Sequence, residues 1–182
     1  MPLSWNEISQ RSKNFVRDWS GETHEHAEAK PFWEAFFNIF GISRRRLASY
    51  EFPVKKTDGT YGFIDLFWKG HLLVEHKSRG KSLEKAYHQG LEYFTGLKEE
   101  ELPRYVIVCD FQRFGLYDLE ENEQHFFTLE ELPQKIHLFG FIAGYSVRKF
   151  KDEDPINIEA ALRLGKVHDA LEAVGYTGKP LE

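Results

Sequence analysis

Residues 62–77, Gly-Phe-Ile-Asp-Leu-Phe-Trp-Lys-Gly-His-Leu-Leu-Val-Glu-His-Lys, put two carboxylates and a lysine inside otherwise apolar runs. The pattern reads as two strands joined by a tight turn at Lys69, Gly70 and His71. Strand side chains alternate faces with a period of two. Leu73, Glu75 and Lys77 are thus expected on one face of the second strand, and Phe63, Asp65 and Phe67 on one face of the first. For Asp65 to stand opposite Glu75, residue numbers across the turn must sum to 140, which sets Trp68 against Leu72. The loop is then three residues long, with Gly70 free to take positive φ. A charge in a strand core is costly unless paired, hydrogen-bonded or metal-bound. It is tolerated more often at a working site than for stability.

Nine residues separate Asp65 from Glu75, and one separates Glu75 from Lys77. This spacing resembles the PD-(D/E)xK nuclease motif, with Ile64 in place of its proline. Two carboxylates offer hard oxygen ligands for Mg²⁺, with Mn²⁺ as a substitute. The metal polarises a phosphate and acidifies a water, and a nearby lysine orients or deprotonates that water. Such spacings also arise by chance in charged chains. The competing reading is a surface hairpin in which Lys77 pairs with Glu75 or Asp65. The aliphatic flanks Ile64, Leu66, Leu72, Leu73 and Val74 favour a buried sheet instead.

The rest of the chain supplies the context. Ser4 and Glu7 form a capping box before a helix over 4–19. A second, very apolar helix runs from about Thr23 to Phe40, with Pro31 inside it. His24 and His26, two apart, cannot both reach one site from a helix. A strand over 47–55 and a turn at 57–60 precede the central hairpin. Ser82 caps a helix reaching Gly96. Strands follow at 104–109 and 113–119, and 128–143 reads as helical, interrupted at Leu132-Pro133. Residues 149–155 form a polar linker before a last helix capped by Asn157. The order of helix, three strands, helix, two strands gives an α/β domain with a mixed sheet and flanking helices. The expected boundary separates a nuclease-like domain at 1–148 from a linker and the start of a helical spacer at 149–182.

With 41% apolar and 15% aromatic residues the chain can build a core, and its net charge of −5 argues against a non-specific basic coat. Cations still cluster locally at Arg44, Arg45 and Arg46, at Lys55 and Lys56, and from Lys77 through Arg79 to Lys81. The first cluster reads as a solvated turn or as a phosphate-contacting patch. The lone cysteine, Cys109, excludes an intrachain disulfide and fits a reducing cytoplasm. No apolar run approaches the length of a membrane span.

Gln89 and Tyr93 share a helix face and form Gln-x-x-x-Tyr, which resembles an extra motif of RecB-like PD-(D/E)xK nucleases. That resemblance places the pair near the active site and the DNA. Longer tracts match in order: 3–7, 53–56, 62–70, 73–81, 85–87 and 102–105. Over roughly 3–178 the chain resembles the N-terminal region of MmeI-like (type IIL) restriction-modification proteins. The resemblance implies an N-terminal Mg²⁺-dependent nuclease acting on double-stranded DNA, with Asp65, Glu75 and Lys77 as its residues. It also implies a covalently linked helical spacer, an S-adenosylmethionine-dependent adenine-N6 methyltransferase and a target-recognition domain. Transient self-association for cleavage is compatible with it. No Asn-Pro-Pro-Tyr motif or Gly-rich methyl-donor loop occurs in this chain, so the methyltransferase is expected beyond residue 182. Nucleases of this fold often add an acid from the first core helix, which makes Glu28 a metal-ligand candidate and Glu34 its competitor. The alternative function is a catalytically silent nuclease-fold domain that binds DNA or acts as a scaffold. A nuclease acting on RNA or branched DNA is a third.

Overall fold

A computed structural model describes residues 3–22, 25–56 and 58–144. The chain divides into two units, Met1–Tyr145 and Ser146–Glu182, and the account below concerns the first. His24, the 149–155 linker and the helix expected after Asn157 lie outside the described residues, as does the side chain of His26.

Helix α1 spans Trp5–Trp19, and its capping box forms: Ser4 Oγ accepts from the Glu7 N–H, and the Ser4 N–H donates to Glu7. Helix α2, Glu25–Ile39, runs through Pro31. Proline inside a helix loses one backbone bond and costs about 3 kcal/mol. The helix buries Phe32, Trp33, Phe36, Phe37 and Ile39. Each buried large apolar side chain contributes roughly 1.5–3 kcal/mol, so burial decides the conformation.

Six strands follow in sequential order across one sheet: β1 Ser49–Lys55, β2 Tyr61–Trp68, β3 Leu72–His76, β4 Tyr105–Cys109, β5 Arg113–Asp118 and β6 Glu123–Thr128. All neighbours are antiparallel except β3 and β4, which are parallel. A parallel pair needs a crossover, and helix α3, Leu83–Glu92, supplies it. Ser82 caps α3 by accepting from the Lys85 N–H at 3.2 Å. Strand β6 is absent from the expectation above, which put two strands after the crossover helix. Its Glu-Gln-His-Phe-Phe-Thr sequence carries little apolar alternation, and only pairing with β5 defines it. Residues expected to interrupt a helix at Leu132-Pro133 instead begin helix α4, Leu132–Lys135, since proline suits the first helical turn.

Two cores flank the sheet. Helices α1 and α2 and the segment 129–143 pack on one face, against Leu66, Leu72, Val74 and Ile107. Helix α3 covers the other, against Ile64, Phe67, Leu73 and Val106. Ile64 and Leu66, two apart, thus belong to opposite faces, and so do Tyr50 and Phe52 on β1. Simple alternation therefore fails between them. The residue between Tyr50 and Phe52 is Glu51, at φ 50°, and the residue between Ile64 and Leu66 is Asp65. The pairs Tyr50↔Leu66 and Phe52↔Ile64 bracket both, so the alternation of faces shifts across the Glu51–Asp65 position. This corrects the expectation that Phe63, Asp65 and Phe67 share a face.

Candidate functional site

The β2–β3 hairpin has the expected register. Trp68 faces Leu72, Phe67 faces Leu73 and Leu66 faces Val74. Gly70 takes φ 71° in the three-residue loop, and its N–H donates to the Glu101 carbonyl. Cα pairing ends at Leu66↔Val74, one step short of Asp65 and Glu75. There the two strands part, and Asp65 Oδ2 accepts the His76 backbone N–H at 2.7 Å. The Asp65 side chain occupies the ladder position that a main-chain carbonyl would otherwise fill.

Glu75 is fully buried, and its Oε1 has no hydrogen-bond partner. Its Oε2 accepts from Lys77 Nζ at 3.1 Å. Burial, and after it the charge of Asp65, pushes the Glu75 carboxyl up to about 8; the Lys77 ammonium opposes this. Gly90 on α3 lets that helix close over this face, since a Cβ there would stand 3.7 Å from Glu75 Cγ and 3.1 Å from Leu73 Cδ2. The Gln89 side chain donates to the Tyr93 hydroxyl at 2.8 Å. Burial raises the Tyr93 phenol to about 12, with Glu75 and Asp65 adding to the rise. The sequence-derived set Asp65, Glu75, Lys77, Gln89 and Tyr93 is thus linked where the middle of β2, the end of β3 and the C-terminal end of α3 meet.

On the opposite side of Asp65 lies a cleft of about 370 Å³ lined by Ala29, Lys30, Trp33, Tyr50, Glu51, Phe63, Asp65 and His76. Trp33 Nε1 donates to His76 Nδ1 at 3.1 Å. The neutral ring then carries its proton on Nε2, which has no partner and sits 99% buried with its residue among Phe32, Trp33 and Phe111. Burial lowers the His76 pKa to about 4, so the ring is neutral near pH 7. Glu51, strained at φ 50°, bonds Lys30 Nζ across the cleft at 2.9 Å. Neither Glu51 nor the Trp33–His76 pair was singled out from sequence. His76 is the unspecified residue of the Glu-x-Lys spacing, and positive φ at a glutamate leaves no mark in the sequence.

The two candidate acids of α2, Glu28 and Glu34, part company. Glu34 is engaged by Arg44, whose guanidinium also reaches the Ala48 carbonyl and stacks 4.1 Å over the Tyr50 ring. Arg44 therefore serves the fold, while Arg45 and Arg46 are exposed. Glu28 is half-buried on α2, next in sequence to the cleft residues Ala29 and Lys30. Among the described residues no group of three or more His, Cys, Asp or Glu is gathered to hold a metal.

The mixed sheet flanked by helices is consistent with a PD-(D/E)xK-like core. A solved structure titled "cryoEM structure DrdV-DNA complex" aligns at TM-score 0.49 and 13% identity, over 79% of this chain and 14% of that one. The chain thus spans a small part of that protein's length. No curated protein matches the chain. The family described as "MmeI, N-terminal domain" matches residues 8–174. The chain belongs to the MmeI N-terminal domain family.

Proposed function

We propose that this chain is the Mg²⁺-dependent DNA endonuclease domain of a bifunctional restriction enzyme and adenine-N6 methyltransferase. The observation that carries the reading is the Asp65–Glu75 pair where β2 and β3 part, with one buried carboxylate oxygen of Glu75 lacking any partner. A buried acceptor without a donor costs about 1–3 kcal/mol, and more if charged. A cation would satisfy it. Mg²⁺ commonly keeps several waters and takes only one or two protein carboxylates, so a pair suffices. Asp65 and Glu75 would hold it, with Glu28 as a candidate third acid.

Bound there, the cation would polarise a phosphodiester and acidify a water. Lys77, whose Nζ donates to Glu75 Oε2, would orient or deprotonate that water. Gln89 fixes the Tyr93 phenol, which stays protonated and therefore able to donate. The nuclease part would occupy 1–148, and residues 149–182 would lead into a helical spacer. The methyltransferase, its S-adenosylmethionine and the target-recognition domain would lie in the parent chain.

Calorimetric titration with Mn²⁺ and Mg²⁺, with Asp65→Ala as control, tests the reading. Saturable binding lost in Asp65→Ala is expected, together with Mg²⁺-dependent nicking of plasmid DNA. Binding without nicking, in the isolated chain and in the parent enzyme alike, favours the silent scaffold. In the parent enzyme, Lys77→Ala is expected to abolish cleavage and spare methylation. Wild-type cleavage by that variant overturns the assignment.

A further inference from the structure

The segment directly after Lys77 is built with unusual care for an exposed loop. Residues 78–81, Ser-Arg-Gly-Lys, form a turn in which the Lys81 N–H donates to the Ser78 carbonyl at 3.1 Å. Gly80 takes φ 81°, as the third residue of a type II turn requires. The turn is pinned from β4 and β5. Asp110, fully buried, accepts the Gly80 N–H on Oδ2 at 3.0 Å. The same oxygen accepts Arg113 Nε at 3.0 Å and its terminal amine at 2.6 Å. Oδ1 accepts the Gln112 and Arg113 backbone N–H groups at 3.3 and 2.8 Å. Arg113 also donates to the Lys81 carbonyl at 2.8 Å.

Arg113 is half exposed, so its ion pair with buried Asp110 is weak evidence for stability: solvent screens the Coulombic gain while Asp110 still bears a desolvation cost. What this pair fixes is the path of the turn. The Asp110 carboxylate neutralises Arg113, while Arg79 and Lys81 project from the turn, exposed. Neither side chain has a partner among the described residues. Lys77, Arg79, Lys81 and Lys85 stand against one acid, Glu84, within nine residues of a chain whose net charge is −5. The Ser78 and Lys81 Cα atoms of such a turn lie within about 7 Å, so both free cations stay close to Lys77.

We propose that the turn 78–81 is a backbone-phosphate site for duplex DNA, held beside Asp65, Glu75 and Lys77 by buried Asp110 and the half-exposed Arg113 paired with it. It builds on the nuclease reading only in taking duplex DNA as the ligand. Arg79 and Lys81 are the contacting residues, and Asp110 is a positioning residue. The site carries no sequence information, since phosphate contacts position and base contacts specify.

The test is the salt dependence of duplex binding by the 182-residue chain, read by fluorescence anisotropy with a random-sequence duplex from 20 to ~150 mM salt. Each phosphate contact contributes about 0.9 to the slope of log K against log salt. Arg79→Gln/Lys81→Gln is expected to flatten the slope by roughly 2, with an unchanged melting temperature. Lys13→Gln/Lys135→Gln removes the same charge from α1 and α4, which pack on the other face, and is expected to leave the slope alone. Asp110→Asn, if folded, is expected to flatten it while Mn²⁺ binding persists. Equal slopes for wild type and the Arg79/Lys81 variant overturn the proposal, as does duplex binding undetectable at 20 mM salt or an equal loss in the control pair. Mn²⁺ titration of the same proteins judges the metal site separately, so the two readings fail independently.

Discussion

The His76 backbone N–H donates to Asp65 Oδ2 at 2.7 Å, and this bond ends the β2–β3 ladder. It converts a side-chain carboxylate into part of the sheet. The strands separate there, and Asp65 reaches both the cleft of Trp33 and His76 and the field of Glu75. Asp65→Asn keeps the shape and removes the charge. Metal affinity is expected to fall by more than about 100-fold, beyond the 10–100-fold typical of outer-shell losses. Calorimetry checks this, with circular dichroism reporting the fold.

Glu75 makes stability fall with pH in the absence of metal. Its folded pKa, about 8, exceeds the ordinary value of 4.5. The contribution is full below pH 4.5 and is lost as pH rises through 8, because the folded state holds the proton longer. His76 acts oppositely: its folded pKa of about 4 lies below 6.5, so its contribution is full above 6.5 and is lost as pH falls through 4. The two slopes offset each other at intermediate pH, and above pH 6.5 the Glu75 slope acts alone. Metal-free denaturant melts are expected to weaken by on the order of 1–3 kcal/mol from pH 6.5 to 8.5. Glu75→Gln should remove the decline, together with any stabilisation by millimolar Mn²⁺.

Trp33→Phe deletes one N–H and leaves His76 Nδ1 without its donor at 3.1 Å. A buried acceptor stripped of its partner costs about 1–3 kcal/mol. Chemical denaturation is expected to show that loss. Nitrogen-15 shifts of the imidazole should report a mixed tautomer in the variant and the Nε2–H form in the wild type.

Gly62→Ala tests the support of Tyr93. A Cβ at Gly62 would stand 2.5 Å from Tyr93 Cε1 and 2.9 Å from Lys56 Cε. The Tyr93 ring is buried and bonded to Gln89, so it must move. Overpacking of this kind costs about 1–3 kcal/mol. On the proposed nuclease function, cleavage by the parent protein is expected to drop at least tenfold. Gly21→Ala, with nothing within 4 Å of the added carbon, serves as the control.

Several features could be read directly from the residues. The capping box at Ser4 and the cap at Ser82 are local chemistry. The Lys69-Gly70-His71 loop follows from where the apolar runs stop and from the freedom of glycine at positive φ. Placing Asp65 near Glu75 and Gln89 beside Tyr93 required only strand register and helix spacing. Long-range packing decided the rest. The positive φ of Glu51 lies where residues two apart on one strand enter opposite cores, so alternation misplaced Asp65 with Phe67. Arg44 looked like part of a free basic run until Glu34 and Tyr50 closed on it. Strand β6 exists because β5 offers an edge with backbone groups to satisfy. Asp110 meets Gly80 only because a parallel crossover lays β4 beside β3, thirty residues away in sequence. A chain writes its caps and turns in neighbouring residues; which distant charges meet depends on how its two cores fill.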